Sequence, residues 1–282
     1  MSKWRPAKDK CIYVIPDIHG NVQLLDLVLD RILPLRKNDQ IVFLGDYIDR
    51  HEDSPDVVDR LIELKKDYKD KIICLLGNHE DMLLKAMNMS GDHELQLHQL
   101  AHFHKMWLNN GGVATLMGYF KKAGVAAENP FLYPRFRLSS LIPKEHIEFF
   151  KGLVPYYTYD NYIFVHGGMN PLQPVEMHET DVLIWDRSLL AIVLAAIDKD
   201  LELPWEETII TGHNVFPEAP EAPVIHDKFM MLDCGSPSKL LVLELYSKTA
   251  FMANPGFDRL VKFEVKNTKK QVKKKSMIRR IT

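Results

Sequence analysis

The stretch IVFLGDYIDRHEDS, residues 41–54, begins as an apolar run and ends in a dense cluster of ionisable side chains. The charged or chargeable residues of this cluster are Asp46, Asp49, Arg50, His51, Glu52 and Asp53. Ionisable groups crowded against the end of a buried strand are costly unless a metal, an opposite charge or water compensates them. The stretch therefore indicates a site for a cation, and the alternative interpretation is a solvated turn.

Strand and helix patterns alternate on both sides of this stretch. The predicted strands are CIYVIP (11–16), QIVFLGD (40–46) and KIICLLGN (71–78), and the predicted helices are NVQLLDLVLDRIL (21–33) and SPDVVDRLIELKK (54–66). Asn21 and Ser54 are the expected N-caps, and Pro55 is expected at the first helical position. This β-α-β-α-β order with nearly continuous apolar strands predicts a parallel sheet that binds its ligand at the carboxyl ends of the strands.

Each predicted strand ends in residues that commonly bind metals. The strand-end segments are PDIHGN (16–21), GDYIDR (45–50), GNHED (77–81), DNYIFVHGG (160–168) and ETIITGHN (207–214). They supply carboxylate, amide and imidazole groups from Asp17, His19, Asp46, Asn78, His166 and His213. One such motif alone is also compatible with an Asx turn or a hydrogen-bonded histidine. Together they predict a site for two Mn, Fe or Zn ions roughly 3.5–4 Å apart, with Asp46 as the candidate bridge.

The rest of the chain divides into a helical part and a strand-rich part. The pattern between about residues 82 and 154 predicts a helical insert, a candidate cap, in which ELQLHQLAHFHKMWLNNGG (94–112) ends a helix at Gly111 and Gly112. After Asn214, apolar runs predict the antiparallel strands of a second sheet. These runs lie at 223–235, 239–247, 248–254 and 260–267. We expect one main domain, residues 1–258, and a basic tail, residues 259–282.

Composition and charge exclude several classes of protein. A net charge of -2 gives no sign of a polyanionic partner, although the segment from Lys262 onwards carries nine Lys or Arg and one Glu. The three cysteines lack CxxC spacing, which favours a reducing compartment over a disulfide framework. The charged start MSKWRPAKDK is unlike a signal peptide, and the longest apolar run, LLAIVLAAI (189–197), is about half of the roughly 20 residues of a membrane span. We expect a soluble cytoplasmic protein.

The motifs DIHG, GDYIDR, GNHE, HGG and TGH, in this order, resemble the phosphoprotein phosphatase branch of the calcineurin-like metallophosphoesterases. The resemblance covers about residues 11–256, and WLNNGG is similar to the bacterial and phage members. It implies a four-layer α/β fold with two mixed sheets flanked by helices and a helical insert. It also implies two metal sites that share Asp46. The first would be held by Asp17, His19 and Asp46, and the second by Asp46, Asn78, His166 and His213.

The same resemblance implies the catalytic roles. His79 would be the general acid on the leaving oxygen, Asp49 would orient it, and Arg50 would bind the phosphate; a carboxylate-held histidine and a planar guanidinium suit these tasks. A hydroxide that bridges the metals would attack phosphorus. Arg187, in LIWDRS, is the expected second phosphate-binding arginine. Its alternative is a surface ion pair with a neighbouring aspartate, Asp181 or Asp186.

Two features depart from, or compete with, this interpretation. His51 follows GDYIDR where the family has glycine, which would strain the backbone if that position has a positive φ. One interpretation is that His51 projects into the site as an extra phosphate or metal contact, and the alternative is a surface loop that accommodates histidine. His98 and His102, one turn apart on a predicted helix with Glu94 before them, have a spacing that could bind zinc. An ordinary helix is the alternative.

The resulting hypothesis is a metal-dependent phosphomonoester hydrolase. The expected substrate is phosphoserine or phosphothreonine in protein, with phosphotyrosine or a small phosphoester as further options, and the expected cofactor is two divalent ions, Mn before Fe or Zn. One alternative is symmetrical hydrolysis of diadenosine tetraphosphate, although such enzymes tend to lack the counterparts of Asp49 and Glu80. Another is an inactive nucleic-acid-binding module that uses the basic tail. Membrane binding is not expected, and the oligomeric state stays open.

Overall fold

The structure, a computed structural model, describes residues 10–90, 95–215, 223–254 and 260–264. The strands are β1 (Ile12–Ile15), β2 (Gln40–Phe43), β3 (Ile72–Cys74), β4 (Tyr156–Tyr159), β5 (Tyr162–Val165), β6 (Thr208–Thr211), β7 (Val224–His226), β8 (Phe229–Met231), β9 (Leu240–Glu244), β10 (Thr249–Ala253) and β11 (Val261–Glu264). The α-helices are α1 (Val22–Ile32), α2 (Ser54–Tyr68), α3 (Asn78–Ala86), α4 (Leu97–Trp107), α5 (Val113–Ala123), α6 (Leu138–Leu141), α7 (Lys144–Lys151), α8 (Thr180–Trp185) and α9 (Ser188–Lys199). Helices and strands thus alternate through the first part of the chain, as the sequence predicts.

The strands form two mixed sheets. The first has the order β11-β10-β9-β1-β2-β3, with β1, β2 and β3 parallel as predicted, and the second has the order β4-β5-β6-β8-β7. The prediction that all strands after residue 214 join the second sheet is correct for β7 and β8 and wrong for β9 to β11. β9 instead pairs antiparallel with β1, opposing Val14 to Leu243. An alternating apolar pattern shows that a strand has a buried face but does not specify its partner.

Three apolar layers hold the sheets and helices together. Between the sheets, Val14 and Val42 of the first pack in one cluster with Phe164 and Ile210 of the second. The outer face of the first sheet packs against α1 to α7, and that of the second packs against α8 and α9. Apolar area removed from water at these layers is the main stabilising contribution, at about 25 cal/mol per Å². The predicted α/β fold of two mixed sheets flanked by helices is confirmed.

Of the two predicted N-caps, Asn21 is confirmed and Ser54 is not. Asn21 caps α1 by accepting a hydrogen bond from Leu24 N at 3.1 Å. Ser54 is the first residue of α2 and not its N-cap, which is Asp53. The Ser54 hydroxyl accepts instead from the backbone N–H of Asp49 at 3.1 Å. A residue that resembled a helix cap therefore supports a turn at the end of β2.

The region predicted as a helical insert contains α4 to α7, of which α4, α5 and α7 pack against α2 or α3. The helix predicted over residues 94–112 begins later, because α4 starts at Leu97 and stops at Trp107. The backbone then turns at Gly111, where φ is +110°, which is the glycine predicted to stop the helix. Within the described ranges, no helix is long and apolar enough to cross a membrane. Glu94 and residues 255–258 of the predicted domain lie outside the described residues, as do residue 259 and residues 265–282 of the predicted basic tail.

A hydrogen-bond network around the buried side chains of His146 and Tyr119 ties α5 and α7 to α2. His146 Nδ1 lies 2.9 Å from the Tyr119 hydroxyl, and its Nε2 lies 2.8 Å from Asp59 Oδ1. Lys122 pairs with the same carboxylate. A neutral imidazole satisfies both partners, since Nε2–H donates to the carboxylate and Nδ1 accepts from the hydroxyl. Burial lowers the pKa of His146, and Asp59 opposes that effect.

We expect this network to make the stability of the fold depend on pH. The pKa of His146 is lower in the folded protein than its ordinary value of 6.5, so the unfolded chain binds the proton more tightly. The stabilisation is therefore complete above about pH 6.5 and is lost as the pH falls below it. His146→Gln should lower the free energy of unfolding by about 1–3 kcal/mol at neutral pH and weaken its pH dependence. Urea unfolding of chelated protein at neutral and mildly acidic pH measures both, and an unchanged pH dependence would contradict the assignment.

Candidate metal centre

The candidate centre lies where the carboxyl ends of β1, β2 and β3 face those of β5 and β6, so two sheets share the predicted rim. The backbone turns sharply at these strand ends. The residues His19, Asp46, Asp49, Arg50 and His213 all have φ between 48° and 74°. Left-handed backbone is uncommon for residues other than glycine, and strained conformations of this kind cluster at functional sites. The turns direct polar side chains into one buried cleft.

Asp46 lies among several imidazoles. Its Oδ2 is 3.2 Å from Nε2 of His166, 3.7 Å from Nε2 of His79 and 3.8 Å from Nε2 of His19. Two groups of potential ligand atoms share this carboxylate: His19, Asp46 and His79 form one, and Asp46, His166 and His213 form the other. All of these residues are buried. A carboxylate common to both groups is the geometry expected of a bridge between two ions.

Backbone carbonyl groups orient two of the imidazoles. Nδ1 of His19 lies 2.9 Å from the Ile48 carbonyl oxygen, and Nδ1 of His166 lies 2.8 Å from that of Leu44. Donation of Nδ1–H to a carbonyl leaves the Nε2 lone pair directed inward, as at metal-binding histidines. Nε2 of His19 and Nε2 of His213 are buried without a hydrogen-bond partner. Because buried polar atoms are normally satisfied, these orphaned nitrogens show that the donor set fits divalent ions.

The other two predicted ligands belong to the same cluster. Asp17 accepts hydrogen bonds from the backbone N–H of His213 at 2.9 and 3.2 Å, and its Oδ2 is 4.0 Å from His19 Nε2. Asn78 Oδ1 is 3.0 Å from His166 Nε2. All six residues predicted from the strand ends therefore converge, and their roles as ligands stay predictions. The first group of ligand atoms contains His79 where the resemblance implied Asp17.

Burial and mutual charge perturb the ionisation of this cluster. Burial raises the pKa of Asp17 to about 8, and the Asp233 carboxylate adds to the rise. Burial also opposes the charge of Asp46, but the surrounding imidazoles, His166 first, hold its pKa well below the usual range. For His166 itself burial lowers the pKa, yet Asp46 raises it to about 9. Burial and His166 lower the pKa of His213 to about 3. A bound divalent cation would favour the deprotonated form of each of these groups, the carboxylate and the neutral imidazole.

A carboxylate–histidine pair borders the cluster. Asp49 Oδ2 is 2.7 Å from His79 Nδ1, and both side chains are buried. Burial raises the pKa of Asp49, and the hydrogen bond with His79 opposes the rise. Burial would lower the pKa of His79, but Asp46 and Asp49 raise it. Arg50 is exposed, with Nη2 3.5 Å from His79 Nε2. The structure thus places the predicted proton donor, its orienting carboxylate and a guanidinium side by side.

Arg187 lies beside the cluster and forms neither of the ion pairs considered as its alternative. Its Nη1 donates to Asn214 Oδ1 at 3.0 Å and is 3.5 Å from the carbonyl oxygen of His213. Asp181 pairs with Lys85, and Asp186 accepts from Ser188. The exposed guanidinium is thereby held next to a candidate ligand, in keeping with its predicted contact with substrate.

Glu80, the last residue of the motif GNHE, is a site residue that the strand-end pattern does not predict. Its buried carboxylate joins the turns that follow β2 and β3 by accepting four backbone N–H groups. The donors are Asp46 at 3.0 Å, Tyr47 at 2.8 Å, Ile48 at 3.2 Å and Gly77 at 3.2 Å. Burial raises the pKa of Glu80 to about 7, and the Asp46 carboxylate adds to the rise. Gly77 lies so close to Asp46 that a Cβ there would collide with its carboxylate. Glu80 is therefore the support that positions Asp46.

His51 does not strain the loop. The left-handed residues are Asp49 and Arg50, whereas His51 is not among the residues with positive φ. Its side chain is 40% exposed, and Nδ1 accepts from Asp53 N at 3.3 Å. A histidine therefore fits where glycine was expected, in a surface loop.

The possible zinc site on α4 is not supported. His98 and His102 are both exposed, and His102 packs against Phe103. Among the residues that the structure describes, the groups able to hold a metal are those around Asp46. The ordinary-helix interpretation of this segment therefore agrees better with the structure.

The comparisons with known proteins agree with this geometry. The solved structure of a "putative diadenosine tetraphosphatase" aligns with a TM-score of 0.52 and 17% identity, over 93% of this chain and 97% of that one. A protein serine/threonine phosphatase from Saccharomyces cerevisiae, described as similar to human phosphatase PP5, also aligns at 0.52, with 14% identity over 93% of this chain and 82% of that one. At such low identity these likenesses show the fold alone.

Sequence matches are shorter. A segment of 73 residues is 36% identical to the zinc-dependent endopolyphosphatase of Saccharomyces cerevisiae, covering 26% of this chain and 21% of that protein. The chain thus matches about a fifth of the length of this curated relative. The family model of the calcineurin-like phosphoesterases matches residues 12–217, most of the chain and every strand end described above. The chain belongs to the calcineurin-like phosphoesterase family.

Proposed function

We propose that this phosphoesterase is a two-metal phosphomonoester hydrolase that acts on phosphoserine and phosphothreonine in proteins. One observation carries the proposal. Buried, unpartnered imidazole nitrogens of His19 and His213 border Asp46, and the hydrogen-bonded pair of His79 and Asp49 lies directly beside them. A ligand set next to a carboxylate-held imidazole is the arrangement that phosphoester hydrolysis requires.

The six converging residues would hold two divalent ions, for which we propose Mn before Fe or Zn. When bound, such ions offset the charge of the phosphoryl group and lower the pKa of water. The donors are oxygen and imidazole nitrogen without thiolate, which suits these metals. The residues are Asp17, His19, Asp46, Asn78, His166 and His213. We place the protein in the cytoplasm, because its three cysteines suit a reducing compartment.

The protein's own side chains would perform the remaining tasks. His79 would donate its Nε2 proton to the departing alkoxide, and Asp49 at Nδ1 would stabilise the protonated ring and fix its orientation. The exposed guanidinium of Arg50, beside His79, would bind the phosphoryl oxygens in bidentate fashion. Arg187 would add a second cationic contact from the turn between α8 and α9. The two arginines would thus bind the phosphoryl group, Asp49 would orient His79, and the buried imidazole of His79 would give its proton to the leaving group.

The choice of substrate rests on Asp49 and Glu80. Both residues are present, and both make hydrogen bonds within the site. These two residues match the motifs of protein phosphatases more closely than the motifs of diadenosine tetraphosphate hydrolases. Hydrolysis of diadenosine tetraphosphate is the second candidate function. Loss of the proton donor matters most when the leaving group is a poorly stabilised alkoxide, as in phosphoserine.

A direct comparison of turnover tests the proposal. Purified protein with added Mn²⁺ is expected to hydrolyse a phosphoserine peptide with a kcat/KM at least about tenfold above that for diadenosine tetraphosphate. The reverse preference would replace the proposed substrate with a dinucleoside polyphosphate. Salt-sensitive RNA binding without hydrolysis of either substrate would favour the binding module instead.

A further inference from the structure

Asp49 receives more hydrogen bonds than its role beside His79 alone would require. Its Oδ2 is occupied by His79 Nδ1 at 2.7 Å. Its Oδ1 accepts from Trp107 Nε1 at 3.0 Å and from the Thr115 hydroxyl at 2.7 Å. All four side chains are buried. Two neutral donors that converge on one buried carboxylate oxygen favour its charged form and fix its orientation.

The backbone of residues 49–50 is also held by hydrogen bonds from other parts of the chain. Asp49 and Arg50 have φ of 74° and 68°, two left-handed residues in succession without a glycine. The Asp49 N–H donates to the Thr115 hydroxyl at 2.8 Å, and the Arg50 N–H donates to the Gly111 carbonyl at 3.1 Å. Backbone strain of this kind persists only where the surrounding structure fixes it. Here the fixing groups come from α5, from the corner at Leu108–Gly112 that joins α4 to α5, and from Ser54 at the start of α2.

The sequence of this corner explains how it comes so close. At Gly111 a Cβ would lie 2.9 Å from Arg50 N, and φ there is +110°. At Gly112 a Cβ would lie 2.5 Å from the Trp107 ring. The glycines of WLNNGG therefore allow the corner to pack directly against residues 49–50 on one side and against the indole of Trp107 on the other.

We propose that Trp107 and Thr115 are positioning residues, which hold Asp49 so that His79 can serve as proton donor. The helical region is then a working part of the active site and more than a cover over it. This inference rests on the proposed function, because it assigns to α4 and α5 a share of the proton transfer at His79. Neither side chain contacts a candidate metal ligand in the hydrogen bonds described, so their effect should pass through Asp49.

The effect of a substitution on the turnover of two esters with different leaving groups distinguishes a positioning role from general structural support. Protonation matters for the alkoxide of a phosphoserine peptide and little for 2,4-dinitrophenolate, which departs without a proton. Thr115→Val and Trp107→Phe are each expected to lower kcat on the peptide by about 10–100-fold and kcat on 2,4-dinitrophenyl phosphate by less than about threefold. Thr115→Ser, which keeps the hydroxyl, should recover most of the peptide activity.

Tyr119→Phe is the matched control. It removes a buried hydroxyl from the same helix, where Tyr119 contacts His146 and not Asp49. We expect it to lower thermal stability while leaving the ratio of the two activities unchanged. Gly111→Ala, paired with Gly124→Ala, is a second test: both glycines have positive φ, but no atom lies within 4 Å of a Cβ at Gly124. Only Gly111→Ala should lower the peptide activity selectively.

A readout independent of turnover completes the test. The indole N–H resonance of Trp107, assigned by its absence in Trp107→Phe, is expected to shift in Asp49→Asn while the other tryptophan resonances stay in place. Equal losses on both esters in folded Thr115→Val and Trp107→Phe, with no indole shift, would overturn the inference. If His79→Asn itself lost both activities equally, the proton-donor assignment would fail, and the indole shift would still decide whether the corner holds Asp49.

Discussion

Replacing Asp46 by asparagine is expected to lower kcat/KM for any phosphoester by at least about 10³-fold, because several kcal/mol of charge stabilisation depend on the ions that this carboxylate would share. Asp46 Oδ2 lies within 3.8 Å of three imidazoles, and the two groups of potential ligands have this residue in common. Its Oδ1 also accepts from His79 N at 3.1 Å. A single neutral amide should therefore disable both metal positions at once.

A measurement of bound metal tells whether the loss of kcat/KM in Asp46→Asn arises from lost metal ions. Asp46→Asn should retain less than the two equivalents of metal expected for the wild type after equilibration with Mn²⁺ and desalting. Asp39→Asn is the matched control, since Asp39 is equally buried but pairs with Arg36 next to the amino end of β2. Its metal content and turnover should equal those of the wild type. Full metal content in Asp46→Asn would remove this residue from the proposed ligand set.

The second large effect is expected at the proton donor. His79→Asn should lower kcat on a phosphoserine peptide by about 10²–10⁴-fold, the usual contribution of general acid catalysis. Asp49→Asn should cause a similar loss, because the amide cannot stabilise the protonated ring across the 2.7 Å contact. Steady-state kinetics with Mn²⁺ on both variants gives the measurement.

His98→Asn controls for the chemical change itself, since His98 is exposed on α4 and makes none of the site contacts described. Its kcat should match that of the wild type. Retained peptide turnover in His79→Asn, within about threefold of the wild type, would contradict the proposed mechanism even if the metals were bound.

The convergence of the candidate metal ligands could be predicted from the sequence because each follows a recognisable strand. A strand of four residues ends at Phe43, and the first polar side chain beyond it, Asp46, has to emerge at the carboxyl edge. By the same reasoning the sequence predicts that Asn78, after β3, and His166, after β5, emerge at the carboxyl ends of their strands. Parallel strands bring such ends together regardless of the distance between them along the chain, so local patterns sufficed for this part of the site.

Contacts that depend on packing between distant elements could not be predicted in this way. Trp107 is separated from Asp49 by 58 residues, and Thr115 by 66. Both residues fit an ordinary amphipathic helix, so nothing in their own segments reveals a polar partner. The N-cap prediction for Ser54 is wrong for a different, local reason, because its hydroxyl accepts from Asp49 N, five residues earlier, and does not cap α2. The wrong sheet for β9 to β11 also reflects a partner that lies far away in sequence.

The most direct test of the central claim is a metal titration of wild-type protein. Metal is first removed by chelation and dialysis, and turnover of an aryl phosphate is then recorded against added equivalents of Mn²⁺. The account predicts no turnover without metal and saturation near two equivalents per chain, as expected for a two-metal site. Undiminished turnover by the metal-free protein, or none with Mn²⁺, Fe²⁺ or Zn²⁺, would contradict it.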